Sequence, residues 1–410
     1  MSVSADERWD KRYERNAVSV LAVGFGLVGL DRFIINPLFP VIAEDLGLGY
    51  QDLGLIAGIL ALTWGLASIV AGSLADRFGY KRVLVTSTIL FSALVAMSGL
   101  ATGLVTFLVI RGLMGFAEGG FVPASIVATM RAAKPSRLGL MVGVQQMAAP
   151  LVGLGLGPII AVGLLRLLPS WEWVFATVAI PGFFVAYLLA RVIKNPPDAS
   201  VPPSSSTQRA PRASFASALK YRNVIFGALG MLGFLSALHT LSAFMPSYLT
   251  DYAGLSIERM GLVMSALGAG GVIGMLVVTS ISDRLGRKPV MTVAMIFAVA
   301  ALVALTRVTD SPALLALCLF VISMAVSGVV SITIGPLVNA SVPPAIAATA
   351  TGIVAGIGEI VGGAFAPALA GVVAQAQGIS VIPYISLIAA TFGLLIVIVG
   401  VREPRQVDAD

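Results

Sequence analysis

The chain has 410 residues, of which 58% are hydrophobic and only 11% charged, with a formal net charge of +6 and a mean hydropathy of +0.97. No water-soluble domain of this length needs so much apolar material for its core, so the composition excludes a soluble enzyme and predicts a polytopic membrane protein. The sequence holds no nucleotide-binding loop, metal-ligand cluster or nucleophile triad, so no metal, cofactor or hydrolytic and redox chemistry is expected.

Residues 1–16, MSVSADERWDKRYERN, read as a polar tail, and the apolar run after them is too long for a signal-peptide core. A helix needs about 20 apolar residues to cross the hydrocarbon. On that measure twelve spans follow, at roughly 17–44, 51–75, 83–102, 104–130, 138–165, 172–193, 222–250, 258–280, 289–307, 312–341, 346–375 and 381–400. Between the sixth and seventh, residues 195–217 are rich in Pro and Ser and read as a linker. The expected organisation is an all-α membrane protein: a tail (1–16), a six-helix bundle (17–194), the linker (195–217), a second six-helix bundle (218–400) and a tail (401–410). Of the 26 Lys and Arg residues, 21 fall on the side that holds both termini and the linker, and three, Arg166, Arg259 and Arg307, on the other. The positive-inside bias therefore predicts cytoplasmic termini. The same bias accounts for the positive net charge without any nucleic-acid partner.

In chain order, the first unusual stretch is LVGLDRFIINPLFP, where Asp31 and Arg32 stand side by side in an apolar span. An ionised group at mid-membrane costs roughly 2.5–3.5 kcal/mol, and neighbours on a helix point about 100° apart. Both must face a cavity or partners. Trp64 in span 2, as a lone aromatic in a span, reads as packing. After span 2 comes GSLADRFGYKR, with Gly72, Asp76 and Arg77, and after span 8 its echo TSISDRLGRKP, with Asp283 and Arg284. An internal repeat at half the chain length implies two related halves. The paired charges can form ion pairs that break when helices separate, or can serve only as topological anchors. Span 4 carries Arg111 and Glu118 seven residues apart, on one helix face. Spans 1 and 4 then bring two acids and two bases together, as a functional site or as a buried ion-pair cluster that gives little net stability. A guanidinium fork matches a carboxylate, and an anion that takes an arginine from Asp31 or Glu118 leaves that acid to gain a proton.

Further along, Gln145 and Gln146 in span 5 are polar near midspan, facing inward or bonding between helices. Gly153, Gly155 and Gly157 before Pro158 read as close packing; they also resemble part of a signature of efflux antiporters, without its following Gly-Gly. His239 in span 7 and Glu359 in span 11 read as a second titrating pair, Glu359 as a proton site, with a satisfied core histidine as the alternative. Cys318, the single cysteine, reads as packing, and Ser327, Ser331 and Thr333 carry no assignment.

Twelve spans, a central linker and the duplicated loop together resemble the major facilitator superfamily, whose loop signature is G-x-x-x-D-R-x-G-R-[KR]. Here Gly72, Asp76, Arg77, Gly79, Lys81 and Arg82 match it, while Tyr80 stands where Arg is usual and Thr279 replaces the first glycine of the second copy. That resemblance implies two bundles around a midplane cavity with alternating access. The Asp31-Arg32 pair with Glu118 seven residues after Arg111 is similar to the anion:cation symporter branch, which includes sugar-acid/proton symporters. By that likeness Arg32 and Arg111 bind the substrate carboxylate, and Asp31 and Glu118 take part in proton coupling. It also places Trp64 at a cavity aromatic, His239 where relatives carry Tyr and Glu359 where they carry Asn. The expected function is proton-coupled uptake of a small organic anion by a monomer in a bacterial inner membrane. The alternative is proton-driven export of drugs or cations.

Overall fold

The computed structural model describes residues 10–194 and 218–403, apart from the side chains of 69–77, 344, 345 and 348. The expected linker lies outside the described residues. Among those described there is no strand, and twelve helices are long and apolar enough to cross a membrane: spans 1 (Lys11–Leu46), 2 (Tyr50–Ser68), 3 (Tyr80–Ser98), 4 (Leu104–Ala132), 5 (Pro135–Leu167), 6 (Trp171–Val192), 7 (Arg222–Tyr252), 8 (Ile257–Leu285), 9 (Arg287–Leu305), 10 (Pro312–Leu337), 11 (Thr349–Gln377) and 12 (Ile379–Gly400). The helix of span 2 continues to Phe78.

Span 1 starts earlier than its apolar run, because Asp10 caps it. The Asp10 carboxylate accepts from the backbone N–H of Arg12 at 2.8 Å and of Tyr13 at 3.2 Å, satisfying donors that a helix start leaves without partners. Those bonds, Tyr13 first, hold its carboxyl below the ordinary carboxylate range. The span is also interrupted at Ile34, between helices Lys11–Phe33 and Ile35–Leu46. Pro37, which has no N–H to give the carbonyl four residues back, accounts for the weak point. Wider π-helical turns interrupt spans 5 (Pro150–Leu156) and 11 (Glu359–Phe365) and end spans 7 (Tyr248–Tyr252) and 10 (Thr333–Leu337); such turns often mark functional positions.

The two copies of the loop motif share a backbone device. Gly79 and Gly286 both have positive φ, +83° and +93°, and each is the N-cap of the helix that follows. A side chain would strain both turns.

The chain forms two compact units, one from the described residues of Met1–Gly47 and Ile59–Ser200, the other from those of Leu48–Gly58 and Val201–Asp410. In the first, span 3 packs on spans 4 and 6, and span 1 on spans 4, 5 and 6. In the second, span 8 packs on span 10, span 12 on spans 7 and 9, and span 7 on span 11. Residues 48–58 cluster with the second unit because Gly54 lies against the backbone of Pro367, with Ala368 Cα 3.2 Å from where a Cβ would stand. The Tyr50 backbone N–H also donates to Gln375 Oε1 at 2.8 Å, and its hydroxyl to Asp251 Oδ2 at 2.9 Å.

Candidate functional site

Glycines set the helix crossings that build the first unit's polar cluster. Gly29 of span 1 lies on the backbone of Ala149 in span 5, and Gly153 in turn lies on the backbone of Gly29. On the other side, Gly115 and Gly119 of span 4 lie on span 2, with the Trp64 carbonyl 2.6 Å from where a Gly119 Cβ would stand. Small residues let helices approach this closely. Span 1 is thereby held two residues before Asp31, and span 2 at Trp64 itself.

The acids and bases of spans 1 and 4 meet there. Asp31, Arg111 and Glu118 are 2%, 1% and 0% exposed. Arg111 does not grip the Asp31 carboxylate: its Nη1 donates to the Asp31 backbone carbonyl at 2.8 Å. A carbonyl next to a helix interruption needs a donor from elsewhere, and the guanidinium supplies it. Arg111 also lies 5.9 Å from the centre of the Phe175 ring. The half-buried Arg32 guanidinium lies 5.4 Å from the centre of the Trp64 ring and 5.5 Å from that of Phe33, within cation–π range. Glu118 interacts electrostatically with both Arg32 and Arg111, and Asp31 with Glu118 and Arg111.

Several polar atoms in this region remain unsatisfied. Among the described residues, Asp31 Oδ1, Trp64 Nε1, Arg111 Nε, both Glu118 carboxylate oxygens and Gln146 Oε1 are buried without a hydrogen-bond partner. Buried polar groups ordinarily find partners, so these atoms stand out among the polar groups of the first unit. Gln145 differs from its neighbour. Its Nε2 donates to Ser125 Oγ at 2.6 Å and its Oε1 accepts from Thr129 Oγ1 at 2.9 Å, so its amide ties span 5 to span 4.

The remaining expected residues fall elsewhere. His239 and Glu359 belong to the second unit. His239 Nδ1 lies 3.1 Å from the Leu235 carbonyl; a carbonyl only accepts, so Nδ1 carries the proton. Glu359 opens the π turn of span 11. Beside it, Gly358 packs on Met231 and Gly362 on Leu235 and Ser236 of span 7, one helical turn before His239. Asp283 pairs with Arg287 at 2.5 Å, and Arg284 is exposed one residue on. Gly72, Asp76 and Arg77 lie on the helix of span 2, but their side chains lie outside the described residues. The Thr333 hydroxyl donates to the Val329 carbonyl of its own helix.

Four contributors carry no signal in the sequence. Phe175 is one aromatic among many in apolar spans, and the Asp31 carbonyl becomes a ligand only because the helix breaks. Ser125 and Thr129 resemble any other hydroxyls in a span. Gly153 and Gly157 do have a visible pattern; the structure assigns them to packing, against Gly29 and Leu30 respectively.

The profile of the Major Facilitator Superfamily matches residues 21–362. A hexuronate transporter of Bacillus subtilis (strain 168) is 28% identical over 263 residues, 63% of this chain and 62% of that protein, so the alignment covers less than two thirds of either. A quinolone resistance transporter of Acinetobacter baumannii is 21% identical over 290 residues, 66% of this chain and 67% of that protein. The crystal structure of a bacterial homolog to the human lysosomal transporter Spinster superposes with a TM-score of 0.80 at 18% identity, over 95% of this chain and 98% of that one. The profile match spans most of the chain and the superposition nearly all of it. The chain therefore belongs to the Major Facilitator Superfamily and is a multi-pass membrane transporter with that family's fold.

Proposed function

We propose that the protein takes up a small organic anion, a sugar acid or another monocarboxylate, in symport with protons by alternating access. The observation that carries this reading is the cluster of buried Asp31, Arg111 and Glu118 with half-buried Arg32 and Trp64, whose unsatisfied polar atoms lie beside two guanidinium groups. A carboxylate that docks on the Arg32 and Arg111 forks offsets the positive charge that favours ionised acids beside them. Asp31 or Glu118 then takes a proton, so that charge entering the site is cancelled within it. Trp64 orients Arg32, and Gln146 is available to substrate hydroxyls. His239 and Glu359 are candidates for a further contact and a further proton site in the second unit. Similarity to a hexuronate transporter agrees with a sugar-acid substrate. The distribution of Lys and Arg supports cytoplasmic termini in a bacterial inner membrane, and one chain holds the whole cluster, consistent with a monomer.

A second reading, proton-driven export, is favoured by similarity to a quinolone resistance transporter and by three intramembrane acids against two arginines. One experiment separates the two. Sugar acids and other carboxylates are added to proteoliposomes while external pH is followed, wild type beside Glu118→Gln. External alkalinisation with one anion, absent in the variant, is the expected result. No response to any carboxylate, together with proton release driven by lipophilic cations from preloaded vesicles, would replace uptake by export.

A further inference from the structure

A groove of about 900 Å³ lies between the N-terminal turns of span 1 and the start of span 5. Its rim carries Lys11, Arg12 and Arg15, all exposed. Its floor is apolar, made by Val18 and Val23 from span 1 and Met141 and Val144 from span 5. The acid in the lining, Glu14, is 2% exposed and neutralised in place: its carboxylate meets Arg137 Nε at 3.0 Å and Nη2 at 3.1 Å. Three cations therefore have no other acid within the lining, though Asp10 just outside it interacts with Arg12. They sit in the first turns of a helix, where the macrodipole disfavours positive charge. Arg15 is 17 residues before Arg32, about 25 Å along the helix at 1.5 Å per residue, so the groove is separate from the buried cluster.

We propose that this groove binds one anionic phospholipid of the leaflet on which the N-terminus lies. The phosphate sits among Lys11, Arg12 and Arg15, and the upper acyl chain lies along Val18, Val23, Met141 and Val144. Charge and polarity both select that occupant. A soluble anion has no use for the apolar floor, and a zwitterionic lipid brings no net charge to the three cations. The Glu14–Arg137 pair fixes the two spans to each other at the groove, so the cradle is built before the lipid arrives.

The full chain, purified in detergent, is titrated with phosphatidylglycerol, with phosphatidylcholine of the same acyl chains and with glycerol 3-phosphate, and bound molecules are counted by native mass spectrometry. One phosphatidylglycerol is expected to be retained at least about tenfold more tightly than phosphatidylcholine, with no retention of glycerol 3-phosphate. Arg12→Gln and Arg15→Gln should each lower retention about fivefold, following roughly 1 kcal/mol per cation near an anionic lipid, at unchanged Tm in phosphatidylcholine. Equal retention of the two lipids, displacement by glycerol 3-phosphate, or wild-type retention by both variants would overturn the assignment. Should the variants not fold, a photoreactive phosphatidylglycerol on the wild-type chain decides. Labelling confined to residues 11–23 and 137–144 supports the groove, and labelling elsewhere removes it.

Discussion

Arg111 is where structure and chemistry meet most tightly, because one guanidinium is tied to the span 1 backbone and faces two buried acids. Removing one partner from a buried charge cluster costs about 3–5 kcal/mol. Arg111→Leu is therefore expected to lower Tm sharply in detergent as well as abolish transport. Arg111→Lys keeps the charge and loses the fork, so it should stay folded and bind the anion at least tenfold more weakly in a ligand-induced thermal shift. Wild-type affinity in the Lys variant would remove the fork from the recognition scheme. The two neighbouring glutamines make a sharper contrast. Gln145→Leu deletes two interhelical bonds, worth about 0.5–1.5 kcal/mol each in general, and should reduce Tm with anion affinity unchanged. Gln146, whose Oε1 has no partner among the described residues, should behave the other way round on changing to Leu: stability kept, affinity lost. The sequence makes Asp31, Arg32, Arg111 and Glu118 legible because a charge in hydrocarbon is conspicuous wherever it stands. It gives no means of telling Gln145 from Gln146, since that depends on which amide happens to reach Ser125 and Thr129.

At the scale of helices, the crossing of spans 1 and 5 determines where Asp31 sits. A methyl group on Gly29 would stand 2.7 Å from Ala149 Cα and 2.8 Å from its carbonyl carbon, and backbone atoms cannot rotate away. Overpacking of this kind costs about 1–3 kcal/mol, and the spans must separate to relieve it. Gly29→Ala and Gly153→Ala are each expected to lower both Tm and transport, by pulling the Asp31 carbonyl away from Arg111. Gly163→Ala in the same span, with nothing within 4 Å, should change neither, and a loss there equal to that at Gly153 would contradict the crossing. A different device closes the second unit. Glu403 accepts from the backbone N–H groups of Arg287 and Lys288 at 2.7 and 2.8 Å, an anionic cap on span 9. Glu403→Gln is expected to weaken that cap by about 0.5–2 kcal/mol, seen as a lower Tm. Twelve spans could be counted from the sequence because length and apolarity alone define a crossing. The break at Ile34 has a visible cause in Pro37, but the π turns of spans 5 and 11 leave no mark, since a helix that continues after an interruption keeps its apolar pattern.

For the whole molecule, the decisive quantity is the charge that moves in one transport cycle. Asp31, Arg32, Arg111 and Glu118 cancel formally, so a bound monocarboxylate alone leaves the cluster with one excess negative charge. Carrying that charge through the membrane field costs about 2.3 kcal/mol per 100 mV, and desolvating it costs more. One proton on Asp31 or Glu118 removes both penalties. Monocarboxylate uptake into proteoliposomes is therefore expected to follow an imposed pH gradient, with an initial rate insensitive to a potassium diffusion potential of either sign. A dicarboxylate moving with the same single proton should be slowed by an inside-negative potential. Asp31→Asn should leave exchange of labelled for unlabelled anion intact while abolishing accumulation against a gradient. Should an inside-negative potential instead accelerate the monocarboxylate, more than one proton must accompany it. Glu359, the intramembrane acid of the second unit, then becomes the residue whose change to Gln should restore insensitivity to potential.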